Sequence, residues 1–370
     1  MITSIRPVVS PRQRLEPGQD TSMEFDPRIN AHRVTAYADL RAVLADPATF
    51  SSRNMAGPQV AAVAALLPPE QRRLLELMSS LNTADGTRHA RIRAAANQKF
   101  TPSAVRHMAD PIRERARALL DELPEEADFV SEFAAPLALG VVGDVLGVPE
   151  RDFPLFREFV APVLELTSGE EVSERILGSY FTGMNEFCAY FGRSDAFKGG
   201  QLSEQERLSL CLAIVVAGTD STTNLLASTL LRLDRRERRL GGVVEEVVRL
   251  DAPFIGFFRT ATCPVTIGGV KIAEGDHMFL DYAAGNRDPR VFTEDFDPGR
   301  PSVPAHLGFG HGPHYCLGAQ LARLEGRIVA EELLDRSSEV AEQPGDVRYR
   351  RHLISHGPAA LRFRPGRRPE

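Results

Sequence analysis

Residues 306–318 read HLGFGHGPHYCLG. One cysteine, Cys316, stands among four glycines, a proline and the histidines His306, His311 and His314. It directly precedes a helical pattern, AQLARLEGRIVAEELL. The unpaired N–H groups of Leu317 and Gly318 at the head of that helix would point at the sulfur. The positive helix end also favours a thiolate there. Gly310, Gly312 and Gly318 would let the backbone lie close to a flat ligand, and Phe309 would shield the sulfur. Three readings compete at this point. One is a glycine-rich turn around a buried thiol. Another is a zinc site built from His306, His311, His314 and Cys316. The third is a thiolate-ligated haem iron. The spacing matches no common zinc pattern, and the sequence has no partner CxxC.

The bulk composition narrows the function classes. The chain has 370 residues, 43% hydrophobic and 25% charged, the balance of a globular protein. A net charge of −6 argues against wholesale attraction to nucleic acid or to an anionic membrane. The four cysteines, Cys188, Cys211, Cys263 and Cys316, have no short metal-type spacing, which predicts a reducing cytoplasm. The first residues, MITSIRPVVSPRQRLEPGQD, show no apolar signal core, and no uninterrupted apolar run reaches the ~20 residues of a membrane span. Neither G-x-S-x-G nor G-x-x-x-x-G-K-[ST] occurs, which disfavours α/β-hydrolase and P-loop chemistry.

Local patterns predict a single domain over 1–370, mainly α with a small β part and an irregular segment at 1–31. A strand is expected around 32–36 and a helix over 38–45 that stops before Asp46-Pro47. Residues 53–80 are apolar but loosely patterned. A helix carrying arginines is expected over 87–98. Helical periodicity then dominates 102–190, with breaks at Leu123-Pro124, Pro149 and Gly169. Ser203 with Glu206 forms a capping box for a helix reaching about Leu233, about 45 Å at ~1.5 Å per residue. VVEEVVRL reads as a further helix, and TCPVTIGGVKI as a hairpin around Gly268-Gly269.

The pattern F-G-x-G-x-H-x-C-x-G, carried by Phe309, Gly310, Gly312, His314, Cys316 and Gly318, resembles the haem-binding loop of the cytochrome P-450 superfamily, in its soluble bacterial haem-thiolate monooxygenase form. The resemblance implies the P-450 fold, a triangular helical domain that sandwiches haem b, with a long central helix over the haem. Other stretches agree. Glu246 and Arg249 form an ExxR on one helix face, and the family joins them to Arg300 in NRDPRVFTEDFDPGR as a buried triad. His89 and Arg93 match the family's HxxxR. With Arg259 and His314 they resemble its propionate clamp. In AGTDST, Ala217 and Gly218 match the place where the family's helix bulges over the iron, and Asp220 and Ser221 match its proton-delivering pair. Ser221 is expected to bond back to the Ala217 carbonyl. The family usually has threonine at this position, so Thr222 is a second candidate for the working hydroxyl. Two stretches are shorter than the family's: the one before Ser203, and RLDRRERRLGG, where a helix is usual. The resemblance runs from about His32 to the C-terminus and is strongest over 82–325.

The resemblance implies a monooxygenase that uses dioxygen to oxidise a small molecule. Electrons would come from a separate ferredoxin or flavodoxin with an NAD(P)H reductase, docking on the cysteine side. The pocket would be lined by the regions 54–80, 160–182, 213–217, 253–258 and 353–356. Phe254, Phe257, Phe258, Ala213 and Ile354 imply a medium-sized, largely apolar or aromatic substrate of specialised metabolism. The chain is expected to be a cytoplasmic monomer with no nucleic-acid or membrane partner. The alternatives are a peroxide-using or non-oxygenating haem-thiolate protein, and a zinc-stabilised binding protein.

Overall fold

The computed structural model describes residues 23–336, 339–340 and 347–366. The axis of the molecule is α10 (Glu204–Arg232), a 29-residue helix. Its start is set locally, as expected. The Ser203 hydroxyl accepts from the Glu206 N–H at 3.2 Å, and the Glu206 carboxylate accepts from the Ser203 N–H at 3.0 Å. Among the described residues twelve other helices accompany it: α1 (Tyr37–Ala45), α2 (Pro58–Leu66), α3 (Pro69–Leu75), α4 (Gly86–Asn97), α5 (Pro102–His107), α6 (Ala109–Glu122), α7 (Ala135–Leu146), α8 (Phe153–Leu166), α9 (Glu174–Arg193), α11 (Leu240–Leu250), α12 (Tyr282–Gly285) and α13 (Ala319–Asp335).

The main core lies where α6 to α10 and α13 meet, and Phe133, Phe156, Phe159, Phe187 and Phe191 fill it. Two apolar stretches, Phe129–Leu146 and Glu204–Arg232, are long enough to span a bilayer by length and composition. Yet 72% of each is buried inside the protein, as befits core helices packed on each other. They cross at Gly218, where a Cβ would lie 2.6 Å from Val142.

The strands are β1 (Met23–Asp26), β2 (Ala31–Val34), β3 (Phe50–Ser51), β4 (Ala127–Asp128), β5 (Gly256–Ala261), β6 (Val265–Ile267), β7 (Val270–Ile272), β8 (His277–Asp281), β9 (Glu339–Val340) and β10 (Arg362–Arg364). A five-stranded sheet runs β1-β2-β8-β5-β3, and its antiparallel β5–β8 pair sets Arg259 opposite Met278. A second sheet runs β4-β10-β9. β6 and β7 make the expected hairpin, turned at Gly268 and Gly269, whose φ values of 53° and 79° suit a two-residue turn of mirror-image type.

Most local expectations hold, with two differences. The irregular N-terminal segment does not extend to residue 31. β1 already pairs with β2, Met23 opposite Val34, around a turn in which Asp26 binds the Arg28 N–H at 2.9 Å and Asn30 takes a φ of 48°. Asp-Pro-Arg-Ile-Asn looks irregular because it is this turn. Residues 1–22 lie outside the described residues. The loosely patterned 53–80 region resolves into the short helices α2 and α3, and both begin at a proline that suits a first helical position. The breaks at 123–124, 149 and 169 fall between helices, and α7 stops at Gly147 with a left-handed φ of 70°. No helix occupies the RLDRRERRLGG stretch before Leu240.

Candidate active site

The cysteine loop is held by its own backbone. The Cys316 N–H donates to the Phe309 carbonyl at 2.8 Å, the Gly310 N–H to Leu307 at 2.8 Å and the Tyr315 N–H to Gly312 at 3.0 Å. Gly310 and Gly312 have φ of 73° and 70°, the left-handed region that favours glycine. At Gly312 a Cβ would also meet the Leu44 carbonyl at 2.5 Å, so the loop is wedged against the end of α1. Cys316 keeps accessible surface, yet burial pushes its thiol up, a combination that fits a sulfur in a narrow recess. Opposing that burial are the Gly318 N–H at the sulfur and the charges of Arg93 and Arg323. Phe309 is buried against Leu225, Val244 and Val248.

Beside this loop, donors gather with too few acceptors. The His314 ring lies 4.1 Å from that of His89, and its Nε2 is 3.1 Å from the Ser52 hydroxyl and 3.7 Å from Asp85. Burial would raise the Asp85 carboxyl, but His314, the Ser51 hydroxyl and the Ser52 N–H outweigh it and bring it to about 2. Burial, then the charges of His314 and Arg93, push His89 down to about 4. The His89 Nε2 is buried with no partner. Arg259 is 3% exposed and donates to the Phe258 carbonyl at 2.9 Å. Among the described residues no carboxylate pairs with it. Arg93 donates to the Tyr315 carbonyl at 2.8 Å. A buried guanidinium without a counter-charge is costly, so this cluster fits an anionic ligand.

On α10 the accessible residues form a stripe. Ala213, Val216, Ala217, Gly218 and Ser221 are partly exposed in an otherwise buried stretch, largely at the three- and four-residue spacing of one helix face. The Ser221 hydroxyl donates to the Ala217 carbonyl at 2.5 Å, as expected. The expected bulge is not seen as an interruption, since α10 runs unbroken through these residues. Thr222 is 4% exposed and sits about 100° around the helix from Ser221, turned into the core. Of the two expected hydroxyls, that of Ser221 is the accessible one. Gly218, also partly exposed, is where α10 crosses α7.

The profile of the family described as Cytochrome P450 matches residues 240–347. A "Putative cytochrome P450 126" of Mycobacterium tuberculosis is 32% identical over 366 residues, covering 89% of this chain and 87% of its own. The "Polyketide biosynthesis cytochrome P450 PksS" of Bacillus subtilis is 31% identical, covering 74% of each chain. A solved structure from work on unusual cytochrome P450-like monooxygenases of microbial secondary metabolism superposes with a TM-score of 0.81 at 28% identity, covering 94% of this chain and 98% of that one.

The chain belongs to the cytochrome P450 family. It is a P450 monooxygenase, and the family's cofactor is haem. The donor cluster beside Cys316 has the chemistry that two propionates need: a partnerless imidazole nitrogen and a buried, carboxylate-free guanidinium.

The ExxR pair of this P450 is buried, as the resemblance implies. Arg249 grips Glu246 with both ends of its guanidinium, at 2.8 and 2.7 Å, and Arg300 reaches the same carboxylate at 2.8 Å. Arg249 further donates to the carbonyls of Asn286, Thr293 and Asp295, so the stretch before the cysteine loop hangs on one fully buried side chain. The zinc constellation does not assemble. His306 binds Glu245 at 3.0 Å, His311 sits 3.5 Å from Arg41, and His314 turns to Ser52. Among the described residues no three metal-ligating side chains gather.

Phe258 is a correction. It is fully buried against Phe279, Ile29 and Ala31, on the face of β5 opposite Phe257 and Arg259, and so belongs to the core. Ile354 is nearly buried in the same cluster. Phe254 and Phe257 stay partly accessible, with rings 5.2 Å apart.

The structure also adds residues that no motif marked. Asp220 is buried and held from the segment 348–358. Arg350 donates to it at 2.8 Å and Ser355 at 2.5 Å, and one turn on along α10 Asn224 donates at 3.4 Å. Ser355 also makes a β-bridge to Phe254, tying α10 to the start of β5. Asp85 and Ser52, which orient His314, carry no sequence signal either.

Proposed function

We propose that this P450 oxidises a medium-sized, largely apolar or aromatic small molecule in specialised metabolism. Dioxygen is the oxidant, and a separate ferredoxin or flavodoxin with its NAD(P)H reductase supplies the electrons in the cytoplasm. The observation that carries the substrate class is the accessible face of α10. It is apolar at Ala213, Val216 and Ala217 and ends in the hydroxyl of Ser221. Through Asp220 and Ser355 that face is joined to the partly accessible Phe254. The relatives named for polyketide biosynthesis and secondary metabolism agree with such a role.

When bound, haem supplies oxygen activation at an iron whose ligand would be the Cys316 thiolate. The protein's part is positional. The Gly318 N–H stabilises the sulfur's charge, and His89, Arg93, Arg259 and His314 would take the propionates. Asp220 and Ser221 would hold and pass protons at the carboxylate and the hydroxyl, while the apolar face excludes bulk water. Reduced protein with carbon monoxide should show the strongly red-shifted Soret band of thiolate ligation. A ligand screen read by the iron spin-state shift should then return apolar and aromatic compounds. Hits confined to sugars, nucleotides or other polar molecules would overturn the substrate class.

One observation favours a peroxide-driven variant. Ser221 is committed to Ala217 and Asp220 to three partners, so proton delivery is restrained. Turnover with hydrogen peroxide that exceeds turnover with NAD(P)H and redox proteins would select that reading.

A further inference from the structure

A charged stack lies against the cysteine loop and takes no part in the machinery above. Arg323, two turns along α13 from Cys316, sets its guanidinium carbon 4.4 Å from the centroid of the Phe309 ring. Its Nε and Nη2 take both oxygens of Glu245 on α11, at 2.5 and 3.0 Å. Its Nη1 donates to the Tyr315 hydroxyl at 3.1 Å. A planar fork held at both ends and laid on a ring face is an arrangement that lysine cannot reproduce.

Glu245 is itself fixed from a second side by His306 at 3.0 Å. The His306 Nδ1 accepts the Gly308 N–H at 3.1 Å, which leaves Nε2 as the nitrogen that faces Glu245. The Phe309 carbonyl accepts the Cys316 N–H at 2.8 Å, so the ring that carries the guanidinium and the residue that carries the sulfur share a backbone bond. Arg323 side-chain exposure is 27% and Glu245 39%, which leaves part of each charge unscreened by water.

Reducing a ferric haem-thiolate adds one electron, hence one negative charge, beside Cys316. A fixed cation nearby favours the reduced form and a fixed anion disfavours it. We infer that Arg323 is a positioning residue that raises the reduction potential of the thiolate-bound iron through its stack on Phe309, and that Glu245 sets how much of this charge the iron feels. The inference rests on Cys316 being the iron ligand.

Equilibrium redox titration of the haem-loaded protein tests it, with the reduced carbon monoxide spectrum recorded on every variant. Arg323→Gln should lower the potential and Glu245→Gln should raise it. The double variant, which removes one charge of each sign, should return close to wild type. Arg323→Lys, which keeps the charge, should stay nearer to wild type than Arg323→Gln. A merely structural stack predicts another pattern. Both single variants would then loosen the loop, move the potential the same way and hasten loss of the thiolate band, and the double would be no better than the worse single. That pattern, or no shift in either single variant, overturns the proposal. Should Arg323→Gln fail to retain haem, Glu245→Gln still decides by the sign of its shift, because it leaves Arg323 in place. If wild type itself lacks the thiolate band, the ligand assignment fails instead, which is a separate result.

Discussion

Two regions of the proposed site are built on different principles. The turns of the cysteine loop and the ExxR pair on α11 are determined at short range. Turns at Gly310 and Gly312 and three backbone bonds within ten residues shape the loop, and Glu246 and Arg249 lie three apart on one helix. The α10 side is assembled at long range. Asp220 is held by Arg350 and Ser355, residues 130 and 135 positions away. The first kind of construction makes a rigid ligand site. The second lets a segment that borders the proposed pocket, through the Ser355 bridge to Phe254, bear on a carboxylate of the proposed proton path.

The contrast can be broken most completely at Cys316. Cys316→Ser should abolish the red-shifted carbon monoxide band and all oxygenase turnover. A variant that retained both would remove the sulfur from the chemistry. Next in size, Arg249→Ala removes a side chain that is 0% exposed and strands Glu246, so about 3–5 kcal/mol of stability should go. Chemical unfolding and haem retention would check this, and a loss no larger than that of an exposed ion pair would deny the triad its role.

On the α10 side the same operations should spare the fold and hit coupling. Asp220→Asn is expected to lower product formation by about 10²-fold or more, the usual scale of a lost proton-transfer group, while keeping the carbon monoxide band. Ser355→Ala should do so more mildly. Ser221→Ala should divert reducing equivalents to hydrogen peroxide. Unchanged coupling and rate in that variant would reject Ser221.

The smallest effect is a pH dependence at the head of α10. The Arg91 hydrogen bond, against an opposing burial cost and helped by the Ser203 N–H, holds Glu206 down at about 2, well under its ordinary 4.5. A lowered carboxylate stabilises the fold fully above its unfolded pKa and loses that contribution as pH falls towards 2. The urea midpoint difference between wild type and Glu206→Gln should therefore be constant above about pH 5.5 and shrink steadily below 4.5. A difference that grows on acidification would reverse the assignment.

How legible these features are in the bare chain depends on the same division. The loop, the ExxR pair and the HxxxR pair can be read because their geometry depends on nearest neighbours along a turn or a helix face. The lock on Asp220 could not be read, because Arg350 is one of 44 basic residues and nothing local distinguishes it. Phe257 and Phe258 are adjacent and chemically identical. Which one faces the accessible side depended on the register of β5 against β8. Likewise Ser221 and Thr222 are adjacent hydroxyls one helical step apart, and the packing of α10 left only that of Ser221 partly accessible. N-terminal pairing of β1 with β2 was hidden by a turn that resembles disorder in composition.

By itself, then, the chain settles which atoms sit at the head of α13, where the long helix starts and how Glu246 meets Arg249, since caps, left-handed turns and helix faces are properties of a few consecutive residues. Folding decided which of Phe257 and Phe258 stays accessible, which hydroxyl of α10 is accessible and what restrains Asp220. Those outcomes depend on which faces of distant elements are buried against each other, and burial is a property of the whole packed molecule.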